Sequence, residues 1–187
     1  FTMKDDEVEK KIIIDANRIT YTNEDFDITI IEIKPEDEMK SFLEIDEKLY
    51  DDKTENEITD IYEGQEIYMI QYPGGKKCSH SEGNVEEINK NNIKYLCSAK
   101  EDSSGGVILN LANYKVIGIL KGALDHKYNL GTLISFPIIE FNKKYNSIDL
   151  VYRINKNDYG IKIWVTHDIK HYEKYLYPSL NKWTGYI

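Results

Sequence analysis

The chain has 187 residues and a mass of 21.9 kDa, enough for one domain with a real core and an appendage, and more than two domains are not expected. Apolar residues make up 41% and aromatics 12%, which supports a packed globule and excludes a disordered chain. Acidic residues number 33 against 24 basic ones, and residues 1–75 alone carry 22 acidic and 8 basic groups, so that half would repel a phosphate backbone, and with no Arg/Lys cluster interleaved with aromatics in the other half nucleic acid is not expected as a partner.

Residues 1–11 are charged and expected at the surface. Ile12, Ile13 and Ile14 form a β-branched run that reads as a strand ending at Asp15 and Asn17. The segment Asp27-Ile-Thr-Ile-Ile-Glu-Ile33 predicts a second strand, which stops before Pro35 because proline has no N–H for the ladder. From Glu36 to Asp60 the chain is acidic and lacks a clear period, predicting a surface loop with a short buried patch at Phe42, Leu43 and Ile45.

From Glu66 onward strand follows strand, cut by turn residues about every ten positions, the pattern of an all-β barrel or sandwich. The expected strands are Glu66–Tyr72 and Cys78–Ile88, then a hairpin of Gly106–Asn110 and Tyr114–Leu120 around Leu111-Ala-Asn113, and finally Gly131–Phe136. A short helical turn is expected over Pro137–Asn142. Past Tyr145, alternation at Ile148, Leu150, Tyr152 and Ile154 and again over Ile161–Val165 predicts a hairpin, and His167–Tyr177 a short helix ended by Pro178.

No apolar run reaches the roughly 18 residues of a membrane helix, so no membrane partner is expected. Cys78 and Cys97 make one disulfide at most, and no Cys/His quartet or Gly-rich phosphate loop occurs, so neither a metal nor any other cofactor is expected. No secretory signal is visible, which makes an intracellular, reducing compartment the default expectation; the chain opens on Phe1, the mark of a processed chain or a fragment.

The chemistry concentrates in Glu101-Asp-Ser-Ser-Gly-Gly-Val-Ile-Leu-Asn110 and Tyr114-Lys-Val-Ile-Gly-Ile-Leu-Lys-Gly122. Two serines and two glycines leading into an apolar strand can hold a hydroxyl on a tight turn among backbone N–H groups, which is what an acyl-transfer nucleophile needs. Locally, the same residues also fit a plain Ser/Gly turn.

The stretch resembles the nucleophile region of trypsin-like (chymotrypsin-fold) serine proteases, where a Gly-x-Ser-Gly turn runs into a strand, a hairpin follows, and a Val-x-Gly-Ile strand lines the substrate cleft. The resemblance covers about residues 12–145 and places the nucleophile at Ser104, the following glycines at Gly105 and Gly106, and the cleft strand at Val116–Leu120. It implies that Asp27, heading its β-branched strand, orients and charge-stabilises a histidine. It also implies an oxyanion hole at Asp102 and Ser104, a substrate-pocket base near Ser98, and an opposing wall at Lys121 and Gly122.

Four departures stand against this pattern. No histidine precedes Asp27, and His80, His126, His167 and His171 all fall outside the family's base position. Asp102 replaces the glycine two residues before the nucleophile, and its carboxylate would oppose a developing oxyanion. Ser103 replaces the Asp of members activated by cleavage, and Val107 replaces a proline.

The expected fold is an all-β chymotrypsin-like double barrel over residues 1–145, with the first barrel incomplete and a C-terminal hairpin and short helix over 146–187. The expected function is serine endopeptidase-type hydrolysis of a polypeptide, not efficient in this chain as written because the base histidine is absent. The alternative is a catalytically dead pseudo-protease that binds peptides or acts as a scaffold. Neutral Ser98 gives no counter-charge for a basic substrate side chain, so trypsin-like specificity is not expected. Oligomeric state is left open.

Overall fold

The computed structural model describes residues 2–5, 8–39, 42–49, 53–100, 102–145 and 163–164. The charged N-terminal stretch forms a hairpin of β1 (Thr2–Asp5) and β2 (Val8–Lys11), paired Thr2 to Lys11 and Asp5 to Val8. This places the first strands earlier than expected: Ile12–Ile14 lie past the end of β2, with Ile12 buried and Ile13 exposed. The Ile13 carbonyl is turned to the Arg18 guanidinium at 2.7 Å, so the run anchors a bend and takes no place in a ladder.

β3 (Thr20–Asn23) and β4 (Ile28–Ile31) form an antiparallel hairpin joined through Glu24–Asp27. The β4 side chains are all buried, which matches its unbroken β-branched composition. After β4, Arg18 grips the turn at Pro35–Asp37 through a two-pronged pair with Asp37, at 2.6 and 2.8 Å.

The described residues of the acidic 36–60 stretch carry more structure than its composition implied. Ile45 is buried and makes an isolated parallel bridge to Val116, whereas Leu43 is exposed. Asp46 is buried, with its carboxylate accepting from the Asn110 and Asn113 amides at 3.2 Å each and from the Lys48 backbone N–H at 3.1 Å. Burial alone would raise this carboxyl's pKa; the hydrogen bonds outweigh it and hold the pKa below the usual value.

Helix α1 (Glu55–Tyr62) then replaces the expected end of the loop. The Thr54 hydroxyl accepts from the Glu57 N–H, and the Glu57 carboxylate reaches back to the Thr54 N–H. This reciprocal box stabilises a short helix, and the buried Ile58 and Tyr62 press it onto the core.

The second half of the chain closes a six-stranded antiparallel barrel. Its strands are β5 (Glu66–Gln71), β6 (Ser79–Asn89), β7 (Asn92–Leu96), β8 (Val107–Asn110), β9 (Lys115–Ala123) and β10 (Asn129–Leu133), in the order β10-β7-β6-β5-β8-β9. Irregular register between Val85 and Glu87, and again in the pairs of β8 and β10 with β9, supplies the bends that closure requires. At Gly83 the backbones of β6 and β7 approach so closely that a Cβ would sit 1.7 Å from the Leu96 carbonyl oxygen. Ile67, Met69, Ile93, Tyr95, Ile108 and Ile119 are fully buried, and the same core takes in Tyr21, Ile28 and Ile30 of the hairpin.

The last barrel strand ends at Leu133, earlier than expected, and α2 (Ser135–Tyr145) begins at once. Pro137 lies in the first turn of α2, where a missing N–H is harmless. Phe141 meets Tyr21 edge-on at 6.1 Å, fixing α2 against β3. β11 (Ile163–Trp164) pairs with β4, Ile163 opposite Ile30, giving a three-stranded sheet in the order β11-β4-β3. The remainder of the expected C-terminal hairpin and the helix over 167–177 lie outside the described residues. The fold is all-β: a complete barrel, a small sheet beside it and a short C-terminal helix.

Candidate active site

The turn from Asp102 to Gly106 is hooked onto β9. The Gly105 N–H donates to the Leu120 carbonyl at 2.8 Å, the Leu120 N–H to the Gly106 carbonyl at 2.7 Å, and the Gly106 N–H closes the turn on the Ser103 carbonyl at 3.0 Å. Asp102 (φ 54°) and Gly105 (φ 89°) are both left-handed, a reversal that glycine makes freely and Asp tolerates. Ser103 is buried, while Ser104 is half-buried and its hydroxyl donates to the Lys121 carbonyl at 2.7 Å. Gly122 neighbours the hydroxyl: a Cβ there would sit 4.0 Å from Oγ, at ordinary van der Waals distance.

Asp27 reaches this region from the other sheet. It closes the Glu24–Asp27 turn, its N–H donating to the Glu24 carbonyl at 3.1 Å, with a left-handed φ of 52°. One residue earlier, the Phe26 carbonyl accepts a 2.6 Å hydrogen bond from the buried Thr132 hydroxyl on β10. On the neighbouring strand the Lys121 ammonium donates to Asn92 Oδ1 at 3.1 Å. Burial lowers the pKa of this half-buried ammonium, and the negative charge of Asp27 acts in the opposite sense. Lys121 thus takes the Ser104 hydroxyl with its carbonyl and holds Asn92 with its ammonium.

Ser98 is exposed, in a segment sewn firmly to the barrel. Its carbonyl accepts from the Gln71 amide and from the Ser81 hydroxyl, both at 2.9 Å, while Gln71 Oε1 accepts from the Lys100 N–H at 3.0 Å. The Asn129 amide donates to the Cys97 carbonyl at 2.6 Å. Cys97 is buried and Cys78 exposed, both as free thiols; burial pushes the Cys97 thiol up even though Ser81 Oγ lies 2.8 Å from Sγ.

Sequence reasoning missed Gln71, Asn92, Asn129 and Thr132. Gln71 carried a visible signal, since it follows Ile67 and Met69 at every second position of β5 and so must face inward with a partner for its amide. Thr132 and Asn92 carried none, because their roles depend on pairing between distant strands. Of the histidines, His80 is exposed on β6 with its ring stacked on Tyr68 at 5.3 Å, and His126 is exposed between β9 and β10. His167 and His171 lie outside the described residues.

No family model matches the chain, and no curated protein matches it in sequence. Among solved structures it is similar to Rv3671c from M. tuberculosis, a chymotrypsin-fold serine protease captured in an inactive form with its serine changed to alanine. The TM-score is 0.50 at 14% identity, covering 79% of this chain and 71% of that one. The fold is distantly trypsin-like. At this identity the likeness speaks for architecture alone, and it accounts for a closed barrel followed by a short helix.

Proposed function

We propose that this domain is a serine-type hydrolase acting on peptide bonds, with Ser104 as the nucleophile. The observation that carries this reading is the Ser104 turn itself, whose half-buried hydroxyl donates to the Lys121 carbonyl at 2.7 Å and whose glycines are hooked to β9 through Leu120. On this reading Asp27, at the end of the turn that Thr132 ties to β10 through the Phe26 carbonyl, is the carboxylate that orients the imidazole serving Ser104.

In the reaction, Ser104 Oγ attacks the peptide carbonyl and its proton passes to an imidazole contributed from outside the described residues. Asp27 orients that ring and stabilises its cationic form. The carbonyl oxygen takes up the negative charge beside the N–H groups of the Asp102–Ser104 turn. Collapse of the tetrahedral species expels the amine, which carries off the proton held by the imidazole, and water then cleaves the acyl ester to regenerate Ser104. Ser98 and Gly122 flank the pocket for the substrate side chain, and neither carries a charge. The substrate class is a neutral or unselected peptide.

A second reading, a peptide-binding module without turnover, is favoured by one specific observation. Asp102 occupies the oxyanion side of the turn with an exposed carboxylate, which opposes the charge that hydrolysis would develop there.

The deciding experiment is fluorophosphonate labelling of the full-length natural protein. Labelling at Ser104 that disappears in Ser104→Ala is the expected result. A folded protein that takes no label yet binds peptides would establish the second reading instead.

A further inference from the structure

We infer that the outer face of β5 and β6, together with the turn that carries Tyr114, is a docking surface for an arginine-bearing segment of a polypeptide; the inference does not rest on Ser104. Ile67, Met69 and Gln71 of β5 are completely buried, so Glu66, Tyr68 and Ile70 stand on the outside of the barrel. The register of β5 with β6 runs without a shift and sets Asn84, Glu82 and His80 opposite these three. His80 is thereby the diagonal neighbour of Tyr68, and their rings stack at 5.3 Å. From the turn after β8, Tyr114 meets Tyr68 edge-on at 6.0 Å, and the Leu111 N–H of that turn donates to the Glu66 carbonyl at 3.0 Å.

Three rings are gathered on one face, and two of them stay open to solvent: His80 is exposed, and Tyr114 is 61% exposed. Tyr114 also holds a left-handed φ of 56°, where glycine or asparagine is at home, so an exposed ring is kept at a backbone cost that its own packing does not repay. The same face carries Glu66 and Glu82, both exposed and, among the described residues, without an ion-pair partner. Lys115, next to Tyr114, is taken up by Glu44 and Glu47, and Lys76 and Lys77 follow the turn at the opposite end of β5 from Glu66. Charge complementarity therefore selects a cationic partner. A guanidinium stacks flat on an aromatic ring and pairs with a carboxylate through two N–H groups at once, which an ammonium cannot do, so the rings select arginine over lysine.

The test is fluorescence polarisation of the full-length protein with a dye-labelled peptide of alternating glycine and arginine, set against its lysine and glutamate counterparts. The arginine peptide is expected to bind, the lysine peptide several times more weakly, and the glutamate peptide not at all. Tyr114→Asn, which removes the ring and tolerates the left-handed backbone, and the pair Glu66→Gln with Glu82→Gln should each weaken arginine-peptide binding about fivefold or more. The control pair Glu36→Gln with Asp60→Asn removes the same charge from exposed positions elsewhere and should leave it unchanged. Equal losses in the two charge-removed pairs would reduce the effect to general attraction by an acidic protein and overturn the inference, as would lysine and arginine peptides binding alike or no binding of the arginine peptide. A parent that sediments as a dimer, with Tyr114→Asn a monomer, would assign the face to a second copy of the chain and overturn it equally.

Discussion

The hydroxyl of Thr132 and the carbonyl of Phe26 meet at 2.6 Å, joining the last strand of the barrel to the turn that carries Asp27. Their separation in the chain is large, and Thr132 is completely buried. Thr132→Val keeps the shape of the side chain and removes the donor, leaving the carbonyl without its partner in a buried place. The expected cost is about 1–3 kcal/mol by urea denaturation, with slower labelling of Ser104 as the turn slackens. Thr132→Ser, which restores the donor, should recover the labelling rate. Equal labelling in Thr132→Val and the parent would show that this bond has no part in placing Asp27.

The pair of Arg18 and Asp37 makes a pH-dependent contribution to stability. Arg18 donates to Asp37 and to the carbonyls of Ile13 at 2.7 Å and Glu32 at 2.6 Å. Burial pushes the Asp37 carboxyl up, but the Arg18 and Lys34 hydrogen bonds and charges prevail and hold it below the ordinary carboxylate value. A carboxyl depressed on folding stabilises fully above its unfolded pKa, and the gain is lost as pH falls through the folded value. Unfolding free energy should therefore decline on the acid side, and Asp37→Asn should flatten that decline. Asp37→Ala, which leaves a buried guanidinium without its carboxylate, should cost about 3–5 kcal/mol at neutral pH. An acid limb of unchanged slope in Asp37→Asn would assign the effect to other carboxylates.

Asp102 bears a different kind of cost. It sits at φ 54°, and its carbonyl accepts from the Gly74 N–H at 3.1 Å. Asp102→Gly relieves the left-handed conformation, worth about 1 kcal/mol before the greater freedom of the unfolded chain offsets part of it. On the hydrolase reading the same change removes a negative charge from the oxyanion side, and the rate of Ser104 labelling should rise about tenfold or more. An unchanged rate in a protein of equal or greater stability would mean that the carboxylate stands clear of the reacting oxygen.

The barrel was legible because its strands are cut by residues with a physical reason to turn. Pro73-Gly-Gly75 and the Leu111-Ala-Asn113 loop fall between observed strands, and Asn89 and Asn92 face each other at the end of a hairpin turned at Lys90-Asn91. The acidic stretch hid α1 because its apolar residues are few, although Thr54 and Glu57 stood at the spacing of a capping box. Isoleucine content misled at 12–14: β-branched residues favour strands, yet a tertiary contact decided the matter when Arg18 took the Ile13 carbonyl. At the candidate site, the Ser104 turn and Asp27 could be picked from local pattern and resemblance. The direction of the Lys121 ammonium could not, because it depends on Asn92 and Thr132, which reach it only through the pairing of β10 with β7 and β9.

Closure of the barrel has a consequence for self-association. Its six strands spend their ladder groups on one another all the way round, and so offer no template to a second chain. The three-stranded sheet is different: β3 and β11 are its outer members among the described residues, and each turns one side of its backbone outward. Strand addition between copies would therefore start at the outer edges of β3, β11 or the β1–β2 hairpin and leave the barrel folded.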